Sequence, residues 1–166
     1  MGATKDGHHV TEDWTLLRDG IEGVKLQEIP NLVTRNGVMT EVFRRSWGIV
    51  DCAIDQMIHV ALRANALSAW HMHENKIDHI MVVSGTIKAV LFDGRESSPT
   101  HKRIEVHHLS PMRPTLIVIP PGIWHGLQNL EPHDSSFVNF FDTSYDHRDP
   151  DDWRLDPDCE EIPYRF

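Results

Sequence analysis

Residues 70–85 read WHMHENKIDHIMVVSG, and the way this stretch is read decides the fold. Three histidines, with Glu74 and Asp78, lead into a run of β-formers that stops at Gly85. Side chains two apart on a strand leave the same face, so His71 and His73 point together. Asp78 follows across a short loop, at the start of the next strand over 80–83. Counting by twos, Ile80, Val82 and Ser84 share its face. His79 falls on the other face, where an outward position is expected.

The same short-strand pattern continues on both sides. Upstream, 24–29 reads as a strand stopped by Pro30-Asn31, and 38–44 follows an Asn36-Gly37 turn. A loosely alternating run covers 54–62. Downstream, 86–92 is the hairpin partner across Gly85, and Asp93-Gly94 turns the chain again. Strands are expected over 103–109, 115–119 and 137–141, with loops at 96–102 and 110–114. The acidic, proline-punctuated tail from 146 to 158 is expected to hold one helical turn near 151–154. Many short strands with regular turns define an all-β barrel or jelly roll. The expected organisation is a flexible N-terminus over 1–13 and a single domain over 14–166, its short C-terminal tail packing at the barrel.

Composition narrows the function classes. With 166 residues the chain is long enough for one real core. A formal net charge of −9 excludes a nucleic-acid binder, which needs a basic face. No apolar run is long enough to span a membrane, and residues 1–13 are too polar for a signal peptide. Only Cys52 and Cys159 occur, so one disulfide at most is open to the chain, and a reducing cytoplasm is expected. There are 12 histidines, and most histidines are surface or core residues, so clustering must carry any argument about them.

A further histidine arrives in IPPGIWHGLQN, residues 119–129, where Pro120-Pro121-Gly122 turns the chain and aims His125 back. His71, His73, Asp78 and His125 form a half-shell suited to a divalent iron, manganese, nickel or zinc ion, with positions left for substrate. No organic cofactor is expected. Trp124, Trp70 and Trp153 read first as core. Trp124, beside His125, is the best of them for stacking on a ligand. Arg44, Arg45 and Arg95 could hold a diphosphate, although adjacent Arg44 and Arg45 cannot both face inward. His107-His108 alternates faces, which excludes a shared metal.

Both histidine segments resemble the two motifs of the cupin superfamily. His71, His73, Asp78 and Gly85 match the first in spacing, and Pro120, Gly122, His125 and Asn129 match the second. Asp78 replaces the usual glutamate, which shortens the reach by about 1.5 Å. The resemblance implies a cupin double-stranded β-helix with the site inside the barrel.

A closer resemblance is to the dTDP-4-dehydrorhamnose 3,5-epimerases. It rests on Asp93, Arg95, Ser98-Pro99-Thr100, Leu109-Ser110 and the IPPGIWHG run, with Gly37 and Glu41 in register upstream, and covers about 21–145. It implies proton transfer α to the carbonyl of a keto-sugar nucleotide, with His71 as the base. It also implies a homodimer and a substrate-binding place for Glu41. Asp78 stands where the family has its lysine, Ser68 where it has an arginine, and Asn139 where it has its acid tyrosine. Tyr145 matches a second, substrate-packing tyrosine. The aspartate that partners the base is expected beyond the end of the chain.

The combined expectation is an epimerase-like enzyme, with His71, His125 and Tyr145 catalytic and Glu41, Trp124, Asn139 and Arg95 binding substrate. A metal at the four-residue half-shell would assist. A ligand histidine cannot also be the base, so His71 stands in conflict between two roles. The alternatives are a metal-dependent cupin of another class, such as a ferrous dioxygenase, and a non-enzymatic sugar-binding cupin.

Overall fold

Turns at glycine, proline and Asx residues cut the chain into twelve short strands among the described residues, which are 10–13, 20–49 and 53–166 of a computed structural model. They are β1 (Lys25–Glu28), β2 (Asn31–Thr34), β3 (Gly37–Thr40), β4 (Gln56–Leu62), β5 (Leu67–Met72) and β6 (Asp78–Ser84). After them come β7 (Ile87–Asp93), β8 (Ile104–Leu109), β9 (Thr115–Ile119), β10 (Ile123–Asn129), β11 (Ser135–Phe141) and β12 (Trp153–Arg154). Two antiparallel five-stranded sheets result, ordered β1-β9-β6-β11-β4 and β12-β5-β10-β7-β8. Strands β4 to β11 are the eight of a jelly roll. The hairpin β2–β3 stands apart as a small sheet of its own.

The inner faces of the two sheets meet in one core. Ile80, Val82, Ile117, Ile119 and Phe137 come from the first sheet, and Ile87, Leu91, Leu109, Ile123 and Leu127 from the second. The outer faces are covered too. Residues 41–49, with Ile29 and Ile54, pack over Met81, Leu116 and Val118. The C-terminal segment lays Ile162, Tyr164 and Phe166 over Trp70, Val90 and Phe92. Trp70 is therefore core. Among the described residues, no helix is long and apolar enough to cross a membrane.

Several expectations change. His79 does point away from Asp78, but it is 1% exposed. The 41–49 segment buries that face, and the ring is satisfied by the Phe140 carbonyl oxygen at 2.9 Å. The strand expected over 38–44 stops at Thr40 and gives way to a 3₁₀ turn at Arg45–Trp47. Arg44 pairs with Glu41 in an exposed ion pair. The helical turn expected near 151–154 is instead the strand β12, because Trp153 and Arg154 extend β5 opposite Met72 and His71. Cys159 is a free thiol, while Cys52 and most of 1–13 lie outside the described residues.

Candidate active site

Strand β5 carries the first ligand-facing residues, and its geometry is irregular where it matters. On β10, His125 pairs with His71 and Leu127 with Ser68, so Gly126 alone opposes both Ala69 and Trp70. This is a β-bulge, which re-aims the side chains beyond it. Ala69 and Trp70 both pack on the outer cluster, while Ser68 and His71, three apart, both line the cavity. The Ser68 hydroxyl reaches His71 Nε2 at 2.8 Å. Without the bulge, alternation would put Ser68 and His71 on opposite faces.

The cavity lies between the sheets at one end of the barrel and holds about 450 Å³, a volume suited to a small-molecule ligand. His71, His73, Asp78, His125, Asn139 and Tyr145 all line it. A hollow of about 500 Å³ at Glu41, Arg44 and Trp47 contains no histidine. A third, of about 600 Å³ beside His107 and His108, is lined by no residue of β5. His107 is buried there and pairs with Glu105 at 2.8 Å.

Within the cavity, Asp78 is the hub. Its Oδ1 accepts a hydrogen bond from Asn139 Nδ2 at 2.7 Å. Its Oδ2 lies 3.4 Å from His73 Nε2 and 3.8 Å from His125 Nε2. His73 Nδ1 meets the Asp151 carbonyl oxygen, and His125 Nδ1 lies 3.3 Å from that of Ile123. A carbonyl only accepts, so both Nδ1 atoms carry hydrogen, and both Nε2 lone pairs turn toward Asp78. Ligand atoms of His73, Asp78 and His125 all lie within 4.8 Å of one another. His71 is not in that group, although its ring lies beside that of His125, with centres 6.0 Å apart. Of the expected four-residue half-shell, three residues form one tight cluster and His71 is an imidazole beside it.

Burial pushes the His71 imidazole down to about 4, with His125, Arg154 and His73 adding in the same direction and Asp78 opposing. Burial also lowers His125, against the pull of Asp78. At neutral pH His71 is therefore unprotonated and able to accept a proton.

Three of the expected binding residues lie elsewhere. Trp124 is adjacent to His125 on a regular part of β10, so it faces outward, beside Gly94 and Arg95. The Arg95 guanidinium is held by Asp93 at 2.9 Å and by the Glu22 carbonyl at 2.7 Å. Burial works against the Asp93 charge, but hydrogen bonds from Arg95, Ser98 and Thr100 outweigh it and hold the carboxyl well below its usual range. The Asp93, Arg95 and Ser98-Pro99-Thr100 signature is thus a structural knot that ties the loop to the N-terminal segment. Glu41 pairs with Arg44 at the other hollow.

Other lining residues were not foreseen. Lys76, from the β5–β6 loop, is only 6% exposed and lines the cavity. The tail, read from sequence as solvated, delivers Asp152 and Arg154 to the wall. Asp152 Oδ1 lies 3.3 Å from His73 Nδ1 and 3.7 Å from Lys76 Nζ. Next to it, the Asp151 carboxylate accepts the backbone N–H groups of Glu74, Asn75 and Lys76 at 2.8 to 3.0 Å. The one available signal was Asp149, Asp151 and Asp152 close together, whose acceptors suit a loop of unpaired N–H groups.

An eight-stranded antiparallel jelly roll with imidazoles and a carboxylate inside the barrel defines a cupin. This chain belongs to the dTDP-4-dehydrorhamnose 3,5-epimerase family, whose model matches residues 18–162. The match runs past Tyr145, where the resemblance was expected to end, and takes in the tail that supplies Asp152 and Arg154. The chain is similar to the probable low-salt glycan biosynthesis epimerase Agl13 of Haloferax volcanii, at 29% identity over 136 residues, covering 81% of this chain and 87% of that protein. It is 27% identical over 146 residues to the spore coat polysaccharide biosynthesis protein SpsL of Bacillus subtilis, covering 88% and 96%. A dTDP sugar isomerase structure from Desulfovibrio desulfuricans G20 superposes with a TM-score of 0.81 at 25% identity, covering 87% of this chain and 90% of that one. The expectation of a sugar-nucleotide epimerase-like enzyme is upheld by the family.

Proposed function

We propose that this protein epimerises or isomerises a keto-sugar nucleotide by proton transfer α to the carbonyl, with His71 as the base. One observation carries the reading: a half-buried imidazole, its pKa lowered by burial, and a tyrosine that follows the facing sheet line one cavity. His71 sits on β5 of one sheet. Tyr145 follows β11 of the other, its backbone N–H held by Gln56 Oε1 at 3.0 Å. Inverting a carbon needs a proton taken from one face and returned to the other. A base and an acid on facing sheets meet that need. His71 takes the α-proton, and the Tyr145 hydroxyl returns one from across the ring.

The test is hydrogen exchange. In deuterated water with dTDP-4-dehydrorhamnose, the protein should wash deuterium into the carbons flanking the ketone. His71→Asn should slow this by about 10²–10⁴-fold, the usual worth of a positioned base. Tight binding without any exchange would leave a sugar-binding cupin instead.

The cluster of His73, Asp78 and His125 favours a second reading. Two imidazoles whose Nδ1 atoms are held by carbonyls, with Nε2 turned to a carboxylate, suit a divalent cation. Such an ion would polarise a carbonyl as a Lewis acid. Elemental analysis showing about one iron, manganese, nickel or zinc per chain would support it. Oxygen uptake with iron would move the protein to the dioxygenases.

The same reading includes a cytoplasmic homodimer. The separate β2–β3 hairpin exposes Leu32, Val33, Val38 and Met39, and the outer edge of β4 exposes Met57 and Ile58. An apolar arm, and a sheet edge left unpaired among the described residues, suit a second copy of the chain.

A further inference from the structure

Proton abstraction next to a ketone leaves negative charge on the ketone oxygen, and that charge needs a donor. By resemblance the lysine that supplies it is replaced by Asp78. The cavity nevertheless contains an ammonium. Lys76 lies two residues earlier, in the loop that leads into β6, and its four-carbon stem carries Nζ to the same wall.

We propose that Lys76 is the enolate-stabilising residue, its ammonium donating a hydrogen bond to the ketone oxygen of the bound sugar. This rests on the function proposed above. Lys76 is 6% exposed, yet among the described residues no hydrogen bond reaches its Nζ. The nearest carboxylate oxygen, on Asp152, is 3.7 Å away. The ammonium otherwise meets the rings of Phe141 and Tyr145, at 5.5 and 5.4 Å from their centres. An ammonium has three donors, and the loose pairing with Asp152 leaves them available to a ligand. Here they point into a cavity that takes a ligand. The loop is anchored by the Lys76 backbone N–H on Asp151 Oδ2 at 3.0 Å, and the ammonium is placed by the two rings and Asp152. Preorganised donors of this kind need no rearrangement as charge develops.

The chemistry balances. His71 takes the proton from the α-carbon, and the C–H electron pair becomes the C=C bond. The carbonyl π pair moves to oxygen, where Lys76 donates its hydrogen bond. Return of a proton to carbon restores the ketone, and no oxidant or reductant is needed.

The experiment compares wild type, K76Q and K76R in deuterium exchange with dTDP-4-dehydrorhamnose. Binding of dTDP-quinovose, which has a hydroxyl in place of the ketone, is measured alongside. K76Q should lower exchange by about 10²–10³-fold, as loss of one oxyanion donor does. It should weaken dTDP-quinovose binding by no more than about threefold, since the contact strengthens only with developing charge. K76R keeps a charge and should retain more exchange than K76Q. Exchange by K76Q at the wild-type rate overturns the role of Lys76 alone, as does an equal loss in dTDP-quinovose binding. Absence of exchange by wild type overturns the proposed function and this role with it. If K76Q does not fold, the test passes to wild-type protein with ¹³C-methylated lysines. The Lys76 resonance must then move further with dTDP-4-dehydrorhamnose than with dTDP, and equal movement overturns the proposal.

Discussion

With His71 as the proposed base, its environment sets the pH range over which the reaction should run. A base must be unprotonated, so its activity is present above its pKa and lost as pH falls through it. Burial, then His125, Arg154 and His73, bring His71 from 6.5 to about 4. At pH 5.5 an ordinary imidazole is only about one-tenth unprotonated, whereas one near 4 is almost wholly so, a difference of about tenfold in active base. The acid limb of kcat/KM reports the free protein. Deuterium exchange measured from pH 4 to 8 should therefore hold its plateau down to about pH 5 and fall below that. Arg154→Met removes one of the lesser causes, so the limb should move up yet stay below 6.5, because burial remains the largest. A wild-type limb centred near 6.5 would refute the claim that burial keeps this imidazole neutral. Stability follows the same sign. His71 binds its proton more readily unfolded than folded, so its contribution is whole above about 6.5 and drains away as pH falls toward 4.

Gly126→Ala would place a Cβ 2.5 Å from Phe166 Cζ and 2.7 Å from Ala69 Cβ. Overpacking of this kind costs about 1–3 kcal/mol, and a melting temperature equal to wild type would count against the bulge geometry. Adding Phe166→Ala frees the ring but not the Ala69 contact, so it should recover only part of the loss. Asp151→Ala removes the acceptor shared by three backbone N–H groups. The expected cost is about 1–2 kcal/mol, because water reaches the exposed part of the loop. Amide exchange at 74–76 should quicken, and unchanged protection would sink the clamp. Burial opposes the Asp151 charge, but those N–H groups outweigh it and lower its pKa. The clamp should therefore hold above the ordinary carboxylate range and loosen as pH falls through the lowered value. Val33→Asp sets a charge on the apolar arm, where Val33 is 76% exposed. Sedimentation should show a shift from dimer to monomer, and a monomeric wild type would remove the arm's proposed role.

Much of the barrel was legible because its strands obey local rules. β6, β7, β9 and β11 are short runs of β-formers ended by glycine, proline or Asx turns, and those signals act within a few residues. What failed was whatever depended on distant chain. His79 sits on the face that alternation gives it, but only the packing of 41–49 decides that this face is buried. The pair Trp153–Arg154 is too short a run to read as a strand, and it extends because it pairs with the distant Met72 and His71. β2 escaped notice because Asn31 follows Pro30 and reads as a stop, while the hairpin register is set by Val38 and Met39 across from it.

The site divides along the same line. His71, His73, Asp78 and His125 could be found because strand periodicity brings them together, and the spacing of two motifs carries that periodicity. Periodicity also misleads at Ser68, since only the two-against-one pairing at Gly126 turns that hydroxyl toward His71. Position-by-position matching has a different blind spot. It asks which residue stands at the lysine's place, finds Asp78, and records a lost cation. A long side chain in a loop need not share the strand position it replaces. Lys76 reaches the cavity from outside the strand, and the loop that carries it is pinned by an aspartate 75 residues later. The charge a reaction needs is fixed by where an atom ends up. Sequence position limits that only as tightly as the side chain is short, which is why Asp78 could be placed from the sequence and Lys76 could not.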